Sequence, residues 1–158
     1  MAGTAPRRVI PRVHSPEVKG PTEQQLGFNP SGPGHVGAFL RDPMGFLIAG
    51  AAVRATNELT ARKYPGLNIL SDEADACRHT LASHVASWMI GDRRAKALGD
   101  AHEIEGLRAP VGDGWNSPGE RAADLYNNHV GRVIPTGGTA SVEEAMRKGY
   151  VRKKPFGE

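Results

Sequence analysis

Cysteine is almost absent: Cys77 is the single one in 158 residues. That excludes a disulfide within the chain and a zinc site built from paired thiolates. Cys77 falls in a helix-forming stretch, where a buried, inert thiol is expected. A long apolar run is missing too. The most apolar stretch, Met44 to Val53, covers 10 residues, and a membrane span needs about twenty. It reads as a core helix instead. Met1–Ala5 leads into Pro6-Arg7-Arg8 and not into an apolar run, so no signal peptide is expected. Charge of one sign is also scarce. A net charge of +3 and a pI near 9.2 aid solubility and attract anionic surfaces weakly. The basic clusters, Arg7, Arg8 and Arg12 and then Arg147 to Lys154, are too small to predict nucleic-acid binding. No segment alternates as a strand would, and no internal repeat is present.

What is abundant is proline at the start. Residues 1–43 hold prolines 6, 11, 16, 21, 30, 33 and 43, with glycines between them. Each proline removes a backbone donor and pushes its predecessor to extended geometry, so no helix longer than about two turns fits. Few apolar residues are there to fold around. The segment is expected to be an extended arm, ordered only where other protein subunits hold it.

The body, residues 44–150, reads as all-α, an irregular bundle of about five helices, with residues 151–158 as a basic tail. Asp42-Pro43 supplies an N-cap and a first-turn proline, and that helix stops at Tyr64-Pro65-Gly66. Ser71 caps a second helix that runs to about Ile90. Its apolar positions Ala74, Cys77, Leu81, Val85 and Trp88 step by three or four, predicting one core face. A third helix covers roughly Arg93 to Ile104. A loop from Gly106 to Asn116 follows, long enough to be the lip of a cleft. Ser117-Pro118-Gly119-Glu120 is a capping box for a fourth helix reaching about His129. Ser141-Val142-Glu143-Glu144 looks like another, opening a short helix closed by Lys148-Gly149.

Three polar clusters lie on these helices. Asp75, Arg78 and His79 share the second; Asp75 and His79, four apart, lie on one face, so the carboxylate can orient the imidazole. His102 and Glu103 end the third. Asp124, Asn127, Asn128, His129 and Arg132 end the fourth, with Asp124 and Asn128 on one face and Asn127 turned toward a neighbour. Together they offer a base, its orienter and an anion-stabilising donor. They could equally partner one another as a core network. The helical zinc-protease motif, the Gly-x-Ser-x-Gly elbow and the phosphate-binding glycine loop are all absent. Cys77 beside Arg78-His79 is no thiolate site, because helix neighbours diverge by about 100°. His79, His102, Glu103 and Asp124 are the candidate ligands for zinc or another divalent ion, provided three helices converge.

Read in order, Asp75-Ala76-Cys77-Arg78-His79, then Asp100-Ala101-His102-Glu103, then Asp124-Leu125-Tyr126-Asn127-Asn128 with Gly131 resemble one family. It is the poorly characterised helical domain of bacteria and phages marked by D-A-x-R-H, A-H-E and D-L-x-N-N-x-x-G. Such domains resemble C-terminal modules of large toxin-type proteins and also occur as small phage proteins. The likeness spans about residues 70–135. Cys77 stands where an aromatic or aliphatic residue is usual and Ala123 where methionine is, changes that affect packing and leave the polar set intact. The arm has no counterpart in the pattern.

The resemblance implies that Arg78, His79, His102, Glu103, Asp124, Asn127 and Asn128 form one site, without supplying a reaction. Two functions fit. One is a phage-type, virion or assembly-associated protein with a hydrolase site for the bacterial envelope, peptidoglycan or phospholipid. His79 or His102 is then the base, with Glu103 or Asp124 as its orienter or as a metal ligand, and Asp75, Arg78, Asn127, Asn128 and Arg132 bind or orient. The other is a purely structural assembly protein whose polar cluster stabilises the core. Either places the chain in a virion, or in the bacterial cytoplasm with a larger assembly delivering it.

Overall fold

The computed structural model describes residues 23–67, 72–109 and 117–152, which form six helices and no strand. They are α1 (His35–Arg41), α2 (Pro43–Lys63), α3 (Asp72–Ile90), α4 (Asp92–Arg108), α5 (Pro118–Val133) and α6 (Thr139–Arg147). The fold is all-α, as expected. Helix α3 is its axis, packing against α2, α4, α5 and α6.

Local chemistry explains the boundaries. Asp42 accepts the Gly45 N–H at 3.0 Å and Pro43 sits in the first turn, which starts α2. At the start of α5, Ser117 Oγ accepts the Glu120 N–H at 3.2 Å while Glu120 accepts the Ser117 N–H at 2.9 Å. The expected capping box is therefore present. Only Gly91, at φ 85°, separates α3 from α4, a conformation that favours glycine. Helix α6 ends in a Schellman pattern, with Gly149 N–H on Met146 O and Tyr150 N–H on Ala145 O.

Several expectations need correction. The segment expected to be an extended arm contains α1, and the turns before it pack on the body. Phe28 is buried with Ile104 and Leu125, and Glu23 pairs with Arg121 at 2.8 Å. Val36, Phe39 and Leu40 follow helical spacing, and Pro33 lies ahead of the first turn, where a missing donor costs nothing. Residues 1–22 of the arm, Ser71, residues 110–116 of the expected lip and residues 153–158 of the tail lie outside the described residues. Helix α4 continues through Gly106 to Arg108, so the lip begins later. Helix α6 begins at Thr139 behind Gly138, which leaves Ser141 inside the helix and not at its cap.

The core is built from three clusters. Cys77, Leu81, Tyr126, Val130 and Val142 join α3, α5 and α6. Phe28, Ile104 and Leu125 form the second, and Ala86, Ile90 and Ala95 the third. Trp88, expected on the core face of α3, is 74% exposed. The Met44–Val53 run is not a core helix either: Gly45 and Ala52 are buried, but Met44 and Leu47 are exposed at 64% and 60%. An apolar α2 face is thus left uncovered. Among the described residues no helix is long and apolar enough to cross a membrane.

Candidate functional site

The three polar clusters meet where α3, α4 and α5 pack together. Asp75, His79, Glu103, Asp124 and Asn128 are all buried there. Arg78 is half-buried; its Nε donates to Asp75 Oδ1 at 3.0 Å, and its Nη2 donates to the same oxygen.

His79 is the hub. Its Nε2 lies 2.8 Å from Arg78 Nη2, and a guanidinium only donates, so Nε2 accepts. The proton then resides on Nδ1, which donates to Asn128 Oδ1 at 3.2 Å. Asn128 Oδ1 also accepts from Ser83 Oγ at 2.9 Å, and Asn128 Nδ2 donates to Glu103 Oε1 at 3.4 Å. Asp124 Oδ1 stands 3.4 Å from His79 Nε2, and Glu103 Oε1 stands 3.8 Å from Nδ1. One imidazole therefore faces carboxylates from all three helices.

His102 differs. Its ring is exposed, 6.1 Å from that of His79 and stacked at 5.6 Å on His35. Its pKa is pushed down to about 4, first by desolvation of the ring among the packed helices and then by its electrostatic interaction with His79 and the Arg78 guanidinium. It is therefore neutral at neutral pH. The folded pKa lies below the ordinary 6.5, so between these values the unfolded chain binds the extra proton. The contribution of His102 to stability is complete above about 6.5 and is lost as the pH falls through about 4. An NMR titration should place the His102 midpoint near 4. A midpoint at its ordinary value would show that the cluster leaves the ring unperturbed.

The expected metal ligands form two triplets that share His79, not a single set of four. His79, His102 and Glu103 bring ligand atoms within 4.8 Å of one another, and so do Asp75, His79 and Asp124. Tetrahedral ligands on zinc stand roughly 3.4 Å apart, close to the 3.8 Å between His79 and Glu103. The first triplet could hold a divalent ion, since it joins two imidazoles to one carboxylate and includes the exposed ring.

The remaining residues lie elsewhere. Asn127 is buried but turned away from the cluster, donating to Arg152 O and accepting the Arg152 N–H, both at 2.8 Å. Arg132 lies 3.4 Å from Asp92 at the start of α4. Cys77 is buried beside Tyr64 and Thr60, and burial raises its pKa, as expected of an inert thiol. Spacing missed His35, Ser83 and His84. The hydroxyl of Ser83 fixes Asn128, and His84 Nδ1 reaches Gly131 O at 3.1 Å. The helical spacing of Val36, Phe39 and Leu40 announces α1, but these side chains are exposed and nothing in the spacing places His35 on the body.

A cavity of about 250 Å³ opens onto this cluster between α2, α3 and α4. His79, Arg78, His102 and Asn128 form its polar part, and Phe46, Val53 and Leu98 are among its apolar walls. An apolar chamber with a few convergent polar groups at its wall has the make-up of a small-molecule site.

A family model described as a domain of unknown function (DUF6973) matches residues 36–154. The chain belongs to that family. No curated protein and no solved structure matches it.

Proposed function

We propose that this member of a family of unknown function is a hydrolase directed at the bacterial envelope, peptidoglycan or phospholipid, within a phage-type assembly. One observation carries the reading: neutral His102 faces the cavity, over His79 and three buried carboxylates. In the reaction His102 accepts a proton from water as the water oxygen attacks the substrate carbonyl carbon. The bond to the leaving oxygen or nitrogen breaks, and that atom takes the proton back from His102. Asp75, beside Arg78, favours the imidazolium while it exists. Arg78, on the cavity wall, supplies positive charge to the developing oxyanion. His79 and Asn128 hold these groups in place from beneath.

A base with a pKa near 4 is weak but is always unprotonated at neutral pH. The acid limb of kcat/KM is therefore expected near pH 4 and not near 6.5. To test the activity, the purified chain is incubated with isolated bacterial envelope, and soluble peptidoglycan fragments and free fatty acids are measured. Release of either supports the reading. Release of neither sinks it.

The structural reading has one observation in its favour. Glu103 and Asp124 are each 0% exposed and can act only through the side chains around them, as members of a helix-joining network would. In that reading an N-terminal arm binds neighbouring subunits. Glu23 and Phe28 already pack on the chain's own body and are not available to partners.

A further inference from the structure

The walls of the cavity say what kind of molecule it takes. Phe46, Ala49 and Val53 of α2 face Ala82 and Ala86 of α3 across it, and Leu98 closes the α4 side. A glycan or peptide carries polar groups every few atoms, and these walls would leave such groups without partners. A hydrocarbon chain has nothing to satisfy. Gly50 adds room: no atom lies within 4 Å of the position its Cβ would occupy. The polar residues gather at one end, where His79, Ser83 and Asn128 are buried.

The surface beside Phe46 has the same character. Phe39 packs edge-on against Phe46, with ring centres 5.7 Å apart. It continues into exposed Leu40, Met44 and Leu47. Arg41 and Arg54 are exposed on the same two helices. The acid between them, Asp42, is held by Arg94 through bonds of 2.6 and 2.7 Å. An apolar cavity that continues through Phe46 and Phe39 into exposed apolar side chains suits the hydrocarbon chain of an amphiphile.

We infer that the cavity is an acyl-chain site, which makes the substrate a fatty-acyl ester whose carbonyl lies against His102. The chemistry of this assignment rests on the hydrolase reading, whereas the binding does not. In the reaction the ester C–O bond is cleaved by water, giving a fatty acid and an alcohol.

Dodecanoate is the probe, titrated calorimetrically into the full chain. Saturable binding with one site per chain is expected. Gly50→Leu should weaken it at least tenfold by filling the cavity, with no lowering of the unfolding midpoint, because leucine is a better helix former and its Cβ meets no atom within 4 Å. Ala82→Leu, from the opposite wall, is the second variant should the first fold poorly. Absence of saturable binding, or wild-type affinity in both folded variants, would overturn the assignment. Exclusion of dodecanoate on self-association, or binding only after removal of residues 1–22, would give the cavity to a second copy or to the chain's own N-terminal segment and overturn it too. Co-sedimentation with phosphatidylglycerol vesicles would identify a membrane source for the ester, and dodecanoate binding without it a soluble one. Dodecanoate binding without hydrolysis of any envelope component would keep the acyl site and sink the hydrolase reading. Peptidoglycan cleavage without dodecanoate binding would do the reverse.

Discussion

Gly131→Ala is expected to lower stability by about 3 kcal/mol or more, read as a fall in the urea midpoint at unchanged slope. Gly131 lies where α5 crosses α3. A Cβ there would press into the Thr80 carbonyl oxygen and stand 3.0 Å from Ser83 Cβ. The obstacle is backbone, so the helices must separate to admit one methyl group. That separation would also pull Asn128 from His79 and Ser83. Since domains are stable by roughly 5–15 kcal/mol, a loss of this size is severe. Gly99→Ala is the control. Its Cβ would meet Asn128 Nδ2 at 3.6 Å, an ordinary contact, so its stability should hold or rise slightly. Equal midpoints for Gly131→Ala and wild type would show that the crossing is looser than described.

Arg78→Met is expected to cost about 3–5 kcal/mol at neutral pH, the usual price of leaving a buried carboxylate without its counter-charge. Asp75 is 1% exposed, and Arg78 reaches it through both Nε and Nη2. The deficit should shrink as the pH falls, because protonation removes the charge that lost its partner. The double variant Asp75→Leu with Arg78→Met should be less damaged than Arg78→Met alone, since both charges leave together. Equal damage in single and double variants would mean that Arg78 acts mainly through packing or through His79.

The residues that announced themselves in sequence did so through local chemistry. Asp42-Pro43 and Ser117-Pro118 with Glu120 mark helix starts whose hydrogen bonds close within one turn, so no distant partner is needed to predict them. The divergence of Asn127 and Asn128 was legible for the same reason. Adjacent helix positions differ by about 100°; Asn128 meets His79, and Asn127 meets Arg152. Tertiary cover was not legible. The stripe ending at Trp88 is periodic to its last member, but periodicity does not say where the neighbouring helices stop, and Trp88 is exposed. Proline density hid α1, whose apolar spacing is short and whose prolines precede its first turn. Convergence of α3, α4 and α5 was beyond spacing altogether; only the family resemblance implied it. Even then, Ser83 stayed silent, because a serine one turn from a histidine carries no pattern of its own.

Whether the cluster performs chemistry or only joins helices turns on His102, the exposed imidazole of the set. The direct measurement is the rate of envelope hydrolysis by wild type and His102→Ala at equal folded concentration, with unfolding midpoints taken on the same samples. Loss of about 100-fold or more in rate is expected, with a midpoint at neutral pH within about 1 kcal/mol of wild type, since His102 is neutral there and makes no ion pair among the described residues. Equal rates, or a large fall in stability with no hydrolysis by the wild type, would contradict a catalytic site and leave a structural network in its place.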